Sequence, residues 1–430
     1  MESIDWYMDF VDKSYTPSED ELIALYRIEP ALEFTVEEAA GRVASESSVG
    51  TWTTLTTLTE NVRRLMAKAY EFDGKYVKIA YKPDLFEPGN IPQILSAIAG
   101  NIFGMKAVQY LRLVDIGWPK SMIGFFKGPQ FGIDGVRKRL NIHGRPILAT
   151  VPKPKVGLTT EEHVNVGYEV WLGGVDLLKD DENLTDLSFN RFEERVKLAF
   201  RYRDKAEKET GERKSYLVNI TGDVRKMEKR AKLVSDYGGE YVMVDILTVG
   251  WGALQTMREV CEDLKLAIHA HRAFHSAFTR NPYHGMSMTV VGELARLIGV
   301  DQLHIGTVIG KLDTPKEEVL AIKEKITSGK CNGGKGLLYT DWGDIKPVLP
   351  VSSGGLHPGL IPHLLNIIGT DIAIQVGGGV LGHPSGPRAG AKAIRDAMQA
   401  YLEGIPLKEY AEKSEELAEA LRKWGEVTYR

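Results

Sequence analysis

From about Gly144 onward the chain alternates short, continuously apolar runs with longer stretches of helical spacing. The apolar runs fall at 147–151, 175–179, 216–220, 241–246, 266–270, 302–305, 348–352 and 372–376. Between them, stretches such as 192–208 and 224–237 repeat their apolar residues three and four apart, which gathers them on one face of a helix. A strand that is apolar on both faces has to be covered on both faces, as in a parallel sheet flanked by helices. Eight repeats of this unit predict a closed (β/α)8 TIM barrel, an architecture that takes about 250 residues. An open eight-stranded sheet satisfies the same pattern and remains the alternative.

The first part of the chain reads differently. Short strand-like runs at 22–28, 76–80 and 107–114 are interspersed with helical stretches at 36–45 and 91–99. This predicts a separate α+β, ferredoxin-like domain over 1–138, with the barrel and its carboxyl-terminal helices over 139–430. The tail, 407–423, is charged and helical, and the longest irregular stretch, 328–346, contains GKCNGGKG. The 430 residues are 43% hydrophobic and 26% charged, with a formal net charge of -4, and no block is strongly basic or acidic. That balance gives no reason to expect nucleic acid or a membrane as partner. Two cysteines, Cys261 and Cys331, make no disulfide framework. The acidic start MESIDWYMDF is unlike a secretory leader, and no apolar run approaches the roughly 20 residues of a membrane span, so a cytoplasmic enzyme is expected.

In a barrel of this kind, ligand-binding groups gather at the carboxyl ends of the strands. Here the first run is followed by Lys153-Pro154-Lys155, the second ends in Lys179-Asp180-Asp181-Glu182-Asn183, the third near Asn219 and the fourth at Asp245. The fifth enters His269-Ala270-His271-Arg272, with His275 beyond, and the sixth carries His304 ahead of a segment ending in Gly310-Lys311. The last two are followed by Ser353-Gly354-Gly355 and by Gly377-Gly378-Gly379. One polar loop is ordinary, but polar or glycine groups after nearly every strand point to one ligand site.

Alternation along a strand puts Lys179 and Asp181 on the same side, with Glu182 at the turn. Two carboxylates suit a hard divalent cation such as Mg²⁺. A lysine beside them repels that cation unless its amine has added CO₂, because the carbamate is an anionic oxygen ligand. A salt-bridged strand end is the plainer reading of the same residues. The glycines after the last two runs leave backbone N–H groups bare to a phosphate, or are tight turns alone. Arg272 suits a second phosphate, and with His271, His275 and His304 it makes a cationic or proton-transferring group. Zinc is the other reading of the histidine pair, and His269 and His275 read equally as structural. Lys311 sits where a glycine-hinged lid would carry one charge onto a reacting group, or is a solvated loop lysine.

At these same positions the chain resembles the ribulose bisphosphate carboxylase large-subunit family, and the resemblance covers nearly the whole length. It is carried by ESSVGTWTT (46–54), AGNIFGMK (99–106), VPKPKVG (151–157), GGVDLLKDDEN (173–183), HAHRAFH (269–275), HIGTVIGKL (304–312), SSGGLHP (352–358) and QVGGGVLGHPSGPRAGA (375–391). The resemblance implies a carbon–carbon lyase that enolises D-ribulose 1,5-bisphosphate with Mg²⁺, adds CO₂ and yields two 3-phosphoglycerate, with O₂ competing. It implies that Lys179 is the carbamylated lysine and that Asp181 and Glu182 complete the Mg²⁺ ligands. Lys153 would transfer protons, supported by Lys155, and His271 would contact the substrate. Arg272, His304 and Ser353 would hold one phosphate side and nearby hydroxyls. Gly355, Gly377, Gly378, Thr51 and Trp52 would hold the other, with Gly354 and Gln375 in the same substrate-binding loops. Lys311 would steady the new carboxylate. Glu46 and Asn101 would complete the site from a neighbouring subunit, so a homodimer is the minimum unit and a larger ring of dimers an option. The compact carboxyl end, VPKPKVG and NITGD (219–223) look like the archaeal type III branch. That branch implies no small subunit and a place in AMP or nucleoside ribose salvage. YKPDLF (81–86) departs from the family's more apolar pattern outside these motifs. The competing readings are a relative that only enolises, a zinc hydrolase on the same barrel, and a non-catalytic sugar-phosphate binding protein.

Overall fold

The structure is a computed structural model, and it describes residues 3–309, 315–332 and 336–426. It divides into two compact units. One comprises Met1–Gly128, Phe274–Leu297 and Ser328–Ile345, and the other Pro129–Ala273, Ile298–Thr327 and Lys346–Arg430.

The first unit is built on a five-stranded sheet in the order Gly285–Met286, Val108–Gly117, Leu22–Pro30, Tyr76–Tyr81, Lys68–Asp73. Leu22–Pro30 runs antiparallel to both neighbours, and Ala24 faces Ile79 on one side and Ile116 on the other. The expected helices form as Val36–Glu46 and Ile91–Ile98. Thr35 and Glu38 close a capping box at the start of the first, which satisfies two N–H groups that the helix leaves open. Two strands were not expected. Lys68–Asp73 alternates too weakly in KAYEFD to signal a strand, and Gly285–Met286 is only two residues long. Within 328–346, Lys330–Asn332 and Tyr339–Asp341 pair as a small antiparallel ribbon.

In the second unit all eight expected runs form strands, and they close into a barrel rather than an open sheet. In chain order these are Ile147–Thr150, Leu177–Lys179, Ser215–Asn219, Tyr241–Asp245, Ala267–His271, Gln302–Gly306, Leu349–Ser353 and Ala373–Gln375. The eighth pairs in parallel with the first, which completes the ring. Residues near the strand starts, including Ile147, Tyr241, Ala267, Leu349 and Ala373, form one core with Val136 and Leu140. The helix Gly132–Leu140 thus seals the amino-terminal end of the barrel. The division expected at 138/139 falls inside this helix, and the compact unit starts at Pro129. Its short apolar stripe beside the basic Arg137-Lys138-Arg139 gave no sign of a barrel plug. With one end sealed, the polar groups at the carboxyl ends of the strands have the other mouth to themselves.

Candidate active site

The second strand sets the centre. Strand alternation sends Lys179 and Asp181 one way and Asp180 the other. Lys179 is completely buried, its Nζ donating to the Asp180 carbonyl oxygen at 2.8 Å and lying 3.8 Å from Glu182 Oε2. Burial lowers its pKa, favouring the neutral amine, although the surrounding carboxylates oppose the shift. Lys153, from the loop after the first strand, donates to Asp181 Oδ2 at 2.9 Å, and Asn183 binds the other oxygen. Burial opposes ionisation of Asp181, yet Lys153 and Asn183 hold its pKa below the ordinary value. Glu182 is likewise held low, with His271 and Lys179 outweighing burial. Lys155 is exposed on the loop and is not among the groups touching this cluster.

The face of Asp180 that points away from this cluster meets the surrounding helices. Its carboxylate accepts from Tyr216 Oη, from Arg195 Nη2 at 3.3 Å and from the Asn219 backbone N–H at 3.0 Å, and His163 Nε2 lies 3.3 Å away. Burial penalises this carboxylate, but Arg195, His163 and Tyr216 bring its pKa to about 2. Asn219 in turn donates to the carbonyls of Asp181 and Glu182, at 3.3 and 3.1 Å. The acidic loop is therefore pinned from behind by Asn219 and by Tyr216, Arg195 and His163, of which only Asn219 entered the argument from the sequence. Alternation was the signal for Asp180, but its partners are distant in sequence.

The fifth and sixth strands add a histidine group. His271 Nδ1 is 2.9 Å from Asp245 Oδ1, and its Nε2 is 3.7 Å from Glu182 Oε2. The ring of His304 packs edge-on against both His269 and His271. His304 Nδ1 is 2.9 Å from Ser353 Oγ, which joins the sixth strand to the seventh. Arg272 is buried, and its pKa drops to about 10 for that reason. Its guanidinium lies so close to Gly306 that a Cβ there would come within 2.8 Å of Nη2. His275 instead belongs to the first unit and bonds Thr279 Oγ1 at 2.8 Å, the structural role left open for it.

The glycine loops close the mouth. Gly354 and Gly355 have φ of +127° and +70°, a backbone that side chains with a Cβ rarely adopt. Gln375 ends the eighth strand, with Oε1 buried and without a partner among the described residues. Gly377 lies beside Lys153, Gly378 is exposed, and Gly379 is wedged against Leu356 and His357 of the preceding loop. Lys311 lies outside the described residues. In the first unit, Asn101 Nδ2 reaches Glu46 Oε1 at 3.5 Å, and Trp52, beside Thr51, is 77% exposed.

Among the described residues no three His, Cys, Asp or Glu side chains converge as metal ligands. Asp181 and Glu182 supply two hard oxygen donors, and the buried Lys179 Nζ lies 3.8 Å from Glu182 Oε2. The donor set fits a divalent cation once Lys179 contributes an oxygen. Among the described residues no histidine-only set supports the zinc reading.

The closed barrel, with acids, lysines, histidines and glycine loops at one mouth, places the chain among the (β/α)8-barrel enzymes. Two family models match it: the ribulose bisphosphate carboxylase large chain catalytic domain over 132–424 and the amino-terminal domain of the same chain over 9–122. The chain is 56% identical to ribulose bisphosphate carboxylase of Pyrococcus abyssi, over 98% of this chain and 97% of that one. It is 51% identical to that of Archaeoglobus fulgidus, over the full length of both. Among solved structures, octameric Rubisco from Pyrococcus horikoshii superposes with a TM-score of 0.92 at 54% identity, covering 98% of this chain and 99% of that one. The dimeric archaeal Rubisco from Hyperthermus butylicus gives 0.93 at 52% identity, covering 98% and 100%. The chain belongs to the ribulose bisphosphate carboxylase large-chain family, a family of carboxy-lyases.

Proposed function

We propose that the protein carboxylates D-ribulose 1,5-bisphosphate, and the observation that carries this reading is a fully buried Lys179 beside Asp181 and Glu182. Its neutral amine attacks CO₂, forming an N–C bond and losing one proton, so the amine becomes an anionic carbamate. The carbamate, Asp181 and Glu182 would then hold Mg²⁺. When bound, the ion supplies Lewis-acid stabilisation of oxyanions on the substrate.

The chain's own residues supply the rest. Lys153 stands at Asp181 and moves a proton at the reacting carbons, with Lys155 supporting it from the same loop. Loss of the C3 proton gives an enediolate, whose C2 forms a bond to CO₂. Water adds at C3, the C2–C3 bond breaks, and protonation of C2 completes two 3-phosphoglycerate. O₂ competes for the same enediolate. His271 contacts the sugar. Arg272, His304 and Ser353 hold one phosphate side, while Gly354, Gly355, Gln375, Gly377 and Gly378 line the loops for the other. Lys311 steadies the new carboxylate. Glu46, Thr51, Trp52 and Asn101 complete the site of a neighbouring chain, so the working unit is a homodimer or a ring of dimers without a small subunit. The similarity to archaeal relatives supports a role in AMP or nucleoside ribose salvage in the cytoplasm; no helix among the described residues is long and apolar enough to cross a membrane.

The test is ¹⁴CO₂ fixation into acid-stable product from ribulose 1,5-bisphosphate, after incubation with CO₂ and Mg²⁺ together. Lys179→Met should abolish fixation while the protein stays folded. Near-normal fixation by that variant would remove the carbamate from the mechanism.

A further inference from the structure

Gln302, His269, His304 and Ser353 form one hydrogen-bonded string within the barrel unit. Gln302 opens the sixth strand directly opposite His269 on the fifth, and His304, two residues on, shares its face. Gln302 Oε1 lies 2.6 Å from His269 Nδ1, His269 Nε2 lies 2.8 Å from His304 Nε2, and His304 Nδ1 lies 2.9 Å from Ser353 Oγ. The glutamine and both histidines are buried. The function proposed above uses only the last two members, and Gln302 and His269 have no part in it.

A neutral imidazole has one N–H and one lone pair, so a proton fixed at one end of such a string fixes every bond along it. Both rings are neutral: burial lowers the His269 pKa to about 3 and likewise takes His304 well below its ordinary value. Two patterns satisfy the distances. In the first, His269 donates Nδ1–H to the Gln302 oxygen, His304 donates Nε2–H to His269, and Ser353 spends its hydroxyl proton on His304. The serine then shows only lone pairs to the site. In the second, the Gln302 amide is turned over. Its Nε2 donates to His269 Nδ1, His269 donates Nε2–H to His304, and His304 donates Nδ1–H to Ser353 Oγ. The serine hydroxyl proton is then free to point outward.

The oxygen and nitrogen of a side-chain amide are nearly identical in shape, so hydrogen bonding decides between the two orientations. In the first pattern Gln302 Nε2 is buried with no partner among the described residues, leaving both of its N–H bonds unmade. The second leaves one N–H and a carbonyl oxygen, and unpaired oxygens are the more tolerated of the two. An anionic phosphate has no proton to offer, so a serine facing it with lone pairs alone would repel it. We propose that Gln302 and His269 are positioning residues that hold the string in the second pattern, so that Ser353 donates its hydroxyl proton to an anionic oxygen of the substrate. This rests on Ser353 being a substrate ligand, but the direction of the string is measurable without substrate.

The whole protein labelled with ¹⁵N-histidine reports each tautomer through its ring nitrogen shifts, with signals assigned from His269→Gln and His304→Gln variants. The expected result is Nε2–H at His269 and Nδ1–H at His304, and the opposite pair of tautomers overturns the proposal. This readout stands even if ribulose bisphosphate is not turned over. The second arm is Gln302→Met, which keeps the length and removes the donor. It should raise KM for ribulose bisphosphate roughly tenfold, the size of one hydrogen bond to a charged group, with kcat within about twofold. In a Ser353→Ala background the same substitution should change KM no further. An equal KM effect in both backgrounds, or a fall in thermal stability with KM unchanged, would show a merely structural string. Should Gln302→Met fail to fold, the tautomers of the unaltered protein decide.

Discussion

Two adjacent glycines separate packing from ligand binding in the loop after the eighth strand. Gly378 and Gly379 open the short helix Gly378–Leu381, and neither has a positive φ, so alanine is conformationally acceptable at both. A Cβ at Gly379 would stand 2.3 Å from the Leu356 carbonyl oxygen, 2.7 Å from His357 Cα and 2.9 Å from Val376 Cγ1. Two of these atoms are backbone of the neighbouring glycine loop, so the loops must part by about 1 Å to reach ordinary contact. Overpacking of this kind costs about 1–3 kcal/mol. At about 2–4 °C per kcal/mol for a domain of this size, Gly379→Ala should lower Tm by about 2–12 °C and also raise KM. A Cβ at Gly378 meets nothing within 4 Å. Gly378→Ala should therefore leave Tm within about 1 °C. If that open space seats a phosphate, KM for ribulose bisphosphate should rise roughly tenfold, through loss of a backbone hydrogen bond to a charged group. Differential scanning fluorimetry and steady-state kinetics on both variants read the two effects. An unchanged Tm for Gly379→Ala would refute the packing argument, and an unchanged KM for Gly378→Ala would leave these glycines as turn residues only.

Lys311→Ala should still exchange the substrate C3 proton with solvent while ¹⁴CO₂ fixation falls on the order of 10²–10³, the usual cost of losing a charge-stabilising group; equal loss of both would put Lys311 in enolisation instead. Mixing inactive Glu46→Gln chains with inactive Lys179→Met chains should restore activity through hybrid dimers, and no recovery after demonstrated subunit exchange would mean a self-contained site. Asp180, held at about 2 against roughly 3.9 in an unfolded chain, contributes about 2–3 kcal/mol that is present above pH 4 and lost as pH falls through 2. Arg195→Met leaves that buried carboxylate without its main counter-charge and should lower Tm at pH 7 by about 6–20 °C. The deficit should shrink between pH 6 and pH 3 as Asp180 takes up a proton in the variant, and a pH-independent deficit would show that the ion pair is not its source.

How far the sequence could be read depended on the range of the interaction. Each barrel strand declared itself because burial on both faces demands an uninterrupted apolar run, and that demand is local. Lys68–Asp73 escaped because a half-exposed edge strand has no such demand, and Gly285–Met286 because its pairing partner lies near residue 112. The helix Gly132–Leu140 reads as a basic surface helix until the open end of a barrel is placed beneath it.

The amino-acid sequence alone determined a parallel α/β unit, its eight strands and the carboxyl-end position of Lys153, Lys179, Asp181, Glu182, His271, His304 and the glycine loops, while closure into a barrel rather than an open sheet came from the structure. Chain order and strand period suffice for the former, because every strand of a parallel sheet points the same way. Only the tertiary structure decided what those groups touch. The closing of the ring brought Gly377 to Lys153 across the first and eighth strands. Packing of the outer helices gave Asp180 its arginine and histidine, and the neighbouring third strand gave it its tyrosine. Strand register aligned Gln302 with His269, 33 positions away. Such contacts depend on offsets between strands that no single stretch of sequence encodes, because register is fixed by the packing of all eight together.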